Sequence, residues 1–251
     1  MRSRFVMAVF AVVCALALRP VPVHATVPVV FGSSWDGVSL QSIVDATYGT
    51  GRINVQTDFI GAHPGDLDPW FWVDTQFSAL IIREIAGNAQ LNTLGWYVEK
   101  GAQPLIDGVD DGIVFAGSAG QGATQVITFD RPLTKFGFYL DPNGPYGTTN
   151  APQGEYFFTN RIWNDFGPDG KGAIHAPYDG DVQAIVFDIS NVVGTPNTWL
   201  VCFEDLDSGA MPKPCCIGTD NDFNDFVFEV HALGATPAAP MSFGSVKQLW
   251  R

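Results

Sequence analysis

The segment Lys135-Phe136-Gly137-Phe138-Tyr139-Leu140 sets Phe136, Phe138 and Leu140 on one side of an extended chain and Gly137 and Tyr139 on the other. That period of two, with the large apolar residues together, is the pattern of a strand with a buried face. The turn formers Asp141-Pro142-Asn143-Gly144-Pro145 end it. Similar runs recur outward in both directions: Ala79 to Ala86, Leu94 to Val98, Gly112 to Ala116, Thr124 to Phe129, Glu155 to Thr159, Val182 to Ile189, Thr198 to Phe203 and Phe226 to His231. Gly, Pro, Asn and Asp clusters separate them, as at Gly167-Pro168-Asp169-Gly170. One short helix is expected over Ser39 to Ala46, with Leu40, Ile43 and Val44 sharing a face and Ser39 as its cap. Strand follows strand without an alternating helix, so the expected class is all-β, an antiparallel sandwich or jelly roll.

The first 25 residues carry Arg2 and Arg4, an uncharged apolar run from Phe5 to Leu18, and Val23-His24-Ala25 before Thr26. This is the layout of a secretory signal peptide, and the run is too short for a comfortable membrane span. A single domain is expected over 26–233, followed by an Ala/Pro-rich linker and short tail over 234–251. Without Arg2, Arg4 and Arg19 the mature chain holds 10 basic residues against 26 acidic ones. Such a balance excludes nucleic acid and anionic membrane as partners, which need clustered Lys and Arg, and suits an environment rich in divalent cations. No transmembrane anchor is expected in the mature chain.

The acids concentrate in one place. Thr198-Trp199-Leu200-Val201-Cys202-Phe203 runs straight into Glu204 and Asp205, and Asp220-Asn221-Asp222-Phe223-Asn224-Asp225 precedes Phe226-Val227-Phe228-Glu229-Val230. If the two apolar runs pair, Glu204, Asp205, Asp220, Asp222, Asn224 and Asp225 meet at one end of a sheet. Like charges a few ångströms apart cost about 1 kcal/mol per pair even in water. Calcium relieves this, since it takes 6–8 oxygens from carboxylates and amide carbonyls at about 2.3–2.6 Å. The Asp-x-Asp-x-Asn start is that of an EF-hand, yet Asp225 stands at its Gly position and His231 at its bidentate Glu position, so that loop is rejected. Asx turns account for one or two such residues, not six polar positions between two core strands. Zinc is disfavoured, because no His adjoins the segment and Cys215-Cys216 lacks the C-x-x-C spacing.

These residues also carry a resemblance. Trp199-Leu-Val-Cys-Phe-Glu-Asp-Leu with Asp220-Asn-Asp-Phe-Asn-Asp-Phe-Val-Phe-Glu-Val resembles the DUF4114 domain, an acidic module of secreted bacterial proteins. Leu40-Gln-Ser-Ile-Val-Asp, Ile53-Asn-Val-Gln-Thr-Asp, Ala79-Leu-Ile-Ile-Arg-Glu-Ile-Ala-Gly-Asn-Ala, Leu94-Gly-Trp-Tyr-Val and Phe136-Gly-Phe-Tyr-Leu are similar to proteins that carry this domain with a PEP-CTERM sorting signal. The resemblance spans about residues 35 to 231. It implies an exported β-sandwich with metal-binding acids at Glu204, Asp205, Asp220, Asp222, Asn224 and Asp225, and supplies no activity. The tail holds Pro237-Ala-Ala-Pro240 and Arg251 but lacks the Glu and the apolar span of that sorting signal.

Three cysteines follow the leader, Cys202, Cys215 and Cys216. In an oxidising compartment Cys202 is expected to pair with Cys215 or Cys216, closing a loop worth roughly 3 kcal/mol in the chain-entropy model; a strained Cys215–Cys216 bridge is the alternative. Catalytic motifs fail on inspection. Ala116-Gly117-Ser118-Ala119-Gly120 leads into a strand where a nucleophile elbow needs a helix, and Gly167 to Gly172 lacks phosphate-loop spacing. The expectation is a secreted, non-catalytic, calcium-binding module with a structural or adhesive role. A carbohydrate-binding module using Trp70, Trp72 or Trp163 toward extracellular polysaccharide or a cell-surface component is the second reading, and a secreted hydrolase the third.

Overall fold

Each of the nine apolar runs is a strand, and a short tenth precedes them. The computed structural model describes residues 29, 31–34, 36–62, 69–86, 89–142, 156–164, 182–205 and 220–233. The leader expected over 1–25, the tail over 234–251 and the Cys215-Cys216 pair lie outside these residues. The strands are β1 Phe71–Val73, β2 Gln76–Glu84, β3 Thr93–Val98, β4 Asp111–Phe115, β5 Thr124–Thr128, β6 Leu133–Asp141, β7 Phe157–Phe158, β8 Ala184–Asp188, β9 Thr198–Phe203 and β10 Phe226–Leu233. They form two five-stranded sheets, one ordered β1-β6-β3-β4 with β7 also on β6, the other β5-β2-β10-β9-β8. Every pairing is antiparallel, so the protein is an all-β sandwich.

The alternation read in β6 is what packs the sandwich. Phe136, Phe138 and Leu140 face Phe77, Phe203 and Phe228 of the second sheet in one cluster of buried side chains. Phe77 stacks on Phe136 at 5.7 Å between centroids, and Phe138 meets Phe228 edge-on at 5.3 Å. Offset and edge-to-face geometries of this kind add to simple area burial. Tyr139 points to the other face, where it joins Tyr97, Phe158 and Trp163 in a small aromatic layer. Opposite Tyr139 stands Gly95, where any Cβ would lie 2.1 Å from its ring, so the bare backbone there makes room for the aromatic.

The second sheet is covered on both faces. Trp199, Val201 and Phe203 of β9 point into the sandwich, while Leu200 and Cys202 point outward. That outer side is roofed by α1, Leu40–Tyr48, with Ile53, Val55 and Phe59 after it. The helix forms as its spacing predicts: Leu40, Ile43 and Val44 are its buried residues, and the Ser39 hydroxyl caps it by accepting from Ser42 N at 3.2 Å. Gln41 ties the following loop down, donating to Ile53 O and accepting from Val55 N. A second helix, α2, is the single turn Ser190–Val193.

Among the described residues Cys202 is a free thiol with 0% exposure, packed beneath α1, and its expected partners Cys215 and Cys216 lie outside those residues. Its strand position points it at the helix layer, so it serves as a small apolar core residue and burial raises its pKa. Phe71 and Trp72 open β1, and Phe71 pairs with Phe136. Among the described residues, no helix is long and apolar enough to cross a membrane.

Phe228 sits at 0% exposure among Phe138, Phe203 and Phe226. Phe228→Ala is therefore expected to lower unfolding free energy by about 3–5 kcal/mol, read as an earlier urea midpoint at unchanged slope.

Candidate metal centre

Strand register builds the site. Phe203, the last residue of β9, pairs with Phe226, the first of β10, and on the other side Phe226 pairs with Glu84 at the end of β2. Glu204 and Asp205 leave β9 where Asp222, Asn224 and Asp225 enter β10, so all five lie at one end of the second sheet. Ile85 N donates to Asp225 O at 3.1 Å, which holds that residue between β9 and β2. One oxygen each of Glu204, Asp222 and Asp225 falls within 4.8 Å of the others.

The approach to β10 is folded in an unusual way. Asn221 and Phe223 both take left-handed backbone conformations, at φ 52° and 55°. Asn accepts that region readily, but for Phe it costs on the order of 1–3 kcal/mol. Burial offsets the cost, because the Phe223 ring is 1% exposed in the helix layer, 5.7 Å from Phe31. The ring is anchored inside the core while Asp222 and Asn224 on either side stay with the carboxylates. Asn224 N donates to Asp222 Oδ1 at 3.1 Å, and Asn224 Nδ2 donates to Asp222 Oδ2 at 2.7 Å.

Residues 31–34 and 36–39 cross over this segment as a strap. Gly32 N donates to Asn221 O at 2.9 Å, and a Cβ at Gly32 would fall 1.6 Å from Asp220 O, so only glycine permits the approach. Further along the strap, Asn224 Nδ2 donates to Ser34 Oγ and Val38 O, and the Ser34 hydroxyl donates to Asp36 Oδ1.

Burial makes the cluster electrostatically costly. Glu204, Asp205, Asp222 and Asp225 are 1%, 4%, 5% and 3% exposed. Asp225 is pushed far above the carboxylate range, first by burial and then by the charges of Asp205 and Glu204. It also shares a hydrogen bond with Glu204, which requires one of the two to carry a proton. Asp205 N donates to the same Asp225 carboxylate at 2.8 Å. Asp222 rises to about 6, chiefly through burial, with the Asp220 and Asp36 charges adding to it. Glu84 rises to about 8 by burial and by the charge of Asp205. Among the described residues, neither Asp222 nor Asp225 has a Lys, Arg or His partner.

The donor set is all oxygen and hard: carboxylates plus an amide, Asn224, whose Oδ1 is buried without a hydrogen-bond donor. Such a set is of the kind that hard divalent cations take. Of the six residues expected from sequence, Glu204, Asp222 and Asp225 converge, Asn224 and Asp205 adjoin them, and half-buried Asp220 acts on Asp205 and Asp222 through its charge. Glu84, Asn92, Ser34 and Asp36 were not anticipated. Glu84 lies inside the run Ala79 to Ala86 after Arg83, and neither it nor the other three carries a signal in the sequence.

The aromatic side chains expected as a sugar platform also take part in packing, with Trp70 and Trp72 half-buried. Trp163 is 8% exposed in the layer with Tyr97 and Tyr139; Trp72 meets Trp199 edge-on at 5.1 Å; Trp70 lies edge-on to Tyr97 with the Lys135 ammonium 4.2 Å from its ring centre. Ala116 to Gly120 and the residues after it to Ala123 make two tight turns into β5, closed by Ala119 N to Ala116 O and Ala123 N to Gly120 O. Comparison with protein-family models, curated proteins and solved structures returns no match for this chain.

Two outcomes follow from this geometry. Carboxyl groups whose folded pKa lies above the unfolded value bind more protons in the folded state, so their stabilisation is full below about pH 4 and is lost as pH rises through 6 to 8. In chelator the melting temperature is expected to fall between pH 5 and pH 8, and excess calcium to flatten that decline. Gly32→Ala, which displaces the strap, is expected to weaken calcium binding by an order of magnitude or more in a calorimetric titration, while Phe228 packing and far-ultraviolet dichroism stay as in the unaltered chain.

Proposed function

We propose that this protein is a secreted, non-catalytic module whose sandwich is completed by calcium at Glu204, Asp222 and Asp225, with Asn224 and Asp205 supporting them. The observation that carries the reading is the convergence of three buried carboxylates on one point without a basic partner for Asp222 or Asp225. Folding without a cation obliges these groups to hold protons; a divalent cation replaces the protons and uses the oxygens as ligands. The likeness to DUF4114 modules, the signal-like start and the acidic balance support export, and with it a structural or adhesive role outside the cell at a polysaccharide or other surface component. An exported protein meets calcium at millimolar concentration, where a site of modest affinity is filled.

With a dissociation constant near 10⁻⁴ M, millimolar calcium adds about 1.5 kcal/mol, or roughly 3–6 °C in melting temperature. Melts in calcium and in chelator, for the unaltered chain and for Asp222→Asn, check this. A calcium-dependent rise that disappears in Asp222→Asn is the expected result. Equal midpoints with and without calcium in the unaltered chain would remove the reading.

A further inference from the structure

We propose that a second divalent cation binds beside the first, held by Asp205 from the end of β9, Glu84 from the end of β2 and the side-chain carbonyl of Asn92 at the entry to β3. The inference rests on the calcium reading above and extends it to a paired centre.

Asp205 is buried at the same sheet end but is not one of the three carboxylates that converge. Its own Oδ2 turns instead to Asn92 Nδ2, at 3.4 Å, a long and weak contact. Asn92 is 0% exposed, and its Oδ1 has no hydrogen-bond donor. A fully buried amide oxygen without a partner is a substantial cost, and one on an amide set against the Asp205 carboxylate has an obvious use as a cation ligand. Rotating the amide by a half-turn exchanges its oxygen and nitrogen, which brings Oδ1 to the Asp205 carboxylate with no change of shape. Glu84 completes the set from β2; its Oε1 is also buried without a donor, and the charge of Asp205 acts on it directly.

Charge balance points the same way. Glu84, Glu204, Asp205, Asp222 and Asp225 bring five carboxylates to one sheet end, and one divalent cation leaves a buried excess of negative charge. A second brings the group close to neutrality, with water completing its shell. The backbone N–H of Asp205 already bonds the Asp225 carboxylate, so the two sites share a wall. Because Asn92 precedes β3 of the first sheet, the second cation would tie the two sheets together where the first ties only strands of one.

Equilibrium dialysis of the full chain against calcium counts the ions. Two per chain are expected, falling to one in Glu84→Gln, and that last ion is lost when Asp222→Asn is added. Asn92→Asp, which keeps the size and adds a charge, is expected to lower the second dissociation constant roughly tenfold and leave the first in place. One ion on both the unaltered chain and Glu84→Gln overturns the second site and leaves the Glu204–Asp222–Asp225 centre standing. Two ions retained in Glu84→Gln also overturn it, and no ion on any of the chains removes both readings.

Discussion

The pairing of Phe203 with Phe226 links the core of this protein to its acidic site. Both rings are buried between the sheets, and burying them fixes the register of β9 against β10. The residues just beyond the pair, Glu204 and Asp225, are then carried into apposition whatever their charges prefer. A slip of one residue would turn both rings away from the sandwich, so hydrophobic packing prevails over repulsion between carboxylates. Glu84 is drawn in by the same rule, because β2 pairs with Phe226 from the other side.

Relief through solvent is also closed off. The strap that includes Gly32, Ser34 and Val38 lies over the acidic segment, and Phe223 anchors that segment under α1 in a backbone conformation that Phe disfavours. Strain and buried charge thus occur together within a few residues, the arrangement expected where a fold maintains a binding site at a cost to stability. Protons or cations can settle that cost, and they compete for the same oxygens. Under the proposed function, firmness of the module tracks the cation content of its surroundings.

The aromatic residues play a different part from the one their abundance invites. Between the sheets they form a continuous set of edge-to-face and stacked rings, and on the outer face of the first sheet Tyr97, Tyr139, Phe158 and Trp163 pack over bare glycine backbone. Rings committed on this scale build a thick, rigid support. The chemistry is left to the end of the sheet, where side chains are short, acidic and held by backbone.

Local pattern carried much of this in advance. Thr198–Phe203 is legible to the residue because both faces of β9 are buried, so the strand is apolar throughout and ends where the acids begin. The helix is legible because its cap and its three buried residues lie within one another's reach along the chain. The acidic segment announces itself for the same reason, five polar residues of six over Asp220 to Asp225 against two apolar strands. What proximity in sequence cannot convey is which face a residue takes and what crosses it from afar. Cys202 proved to face the helix layer, Trp163 proved to be packed, and Glu84, Asn92, Ser34 and Asp36 reach the acids from more than 100 positions away. The chain alone established strands, helix and a concentration of charge, because those follow from neighbouring side chains. The composition of the site waited on the tertiary structure, because it depends on strand order and on a strap that only packing places.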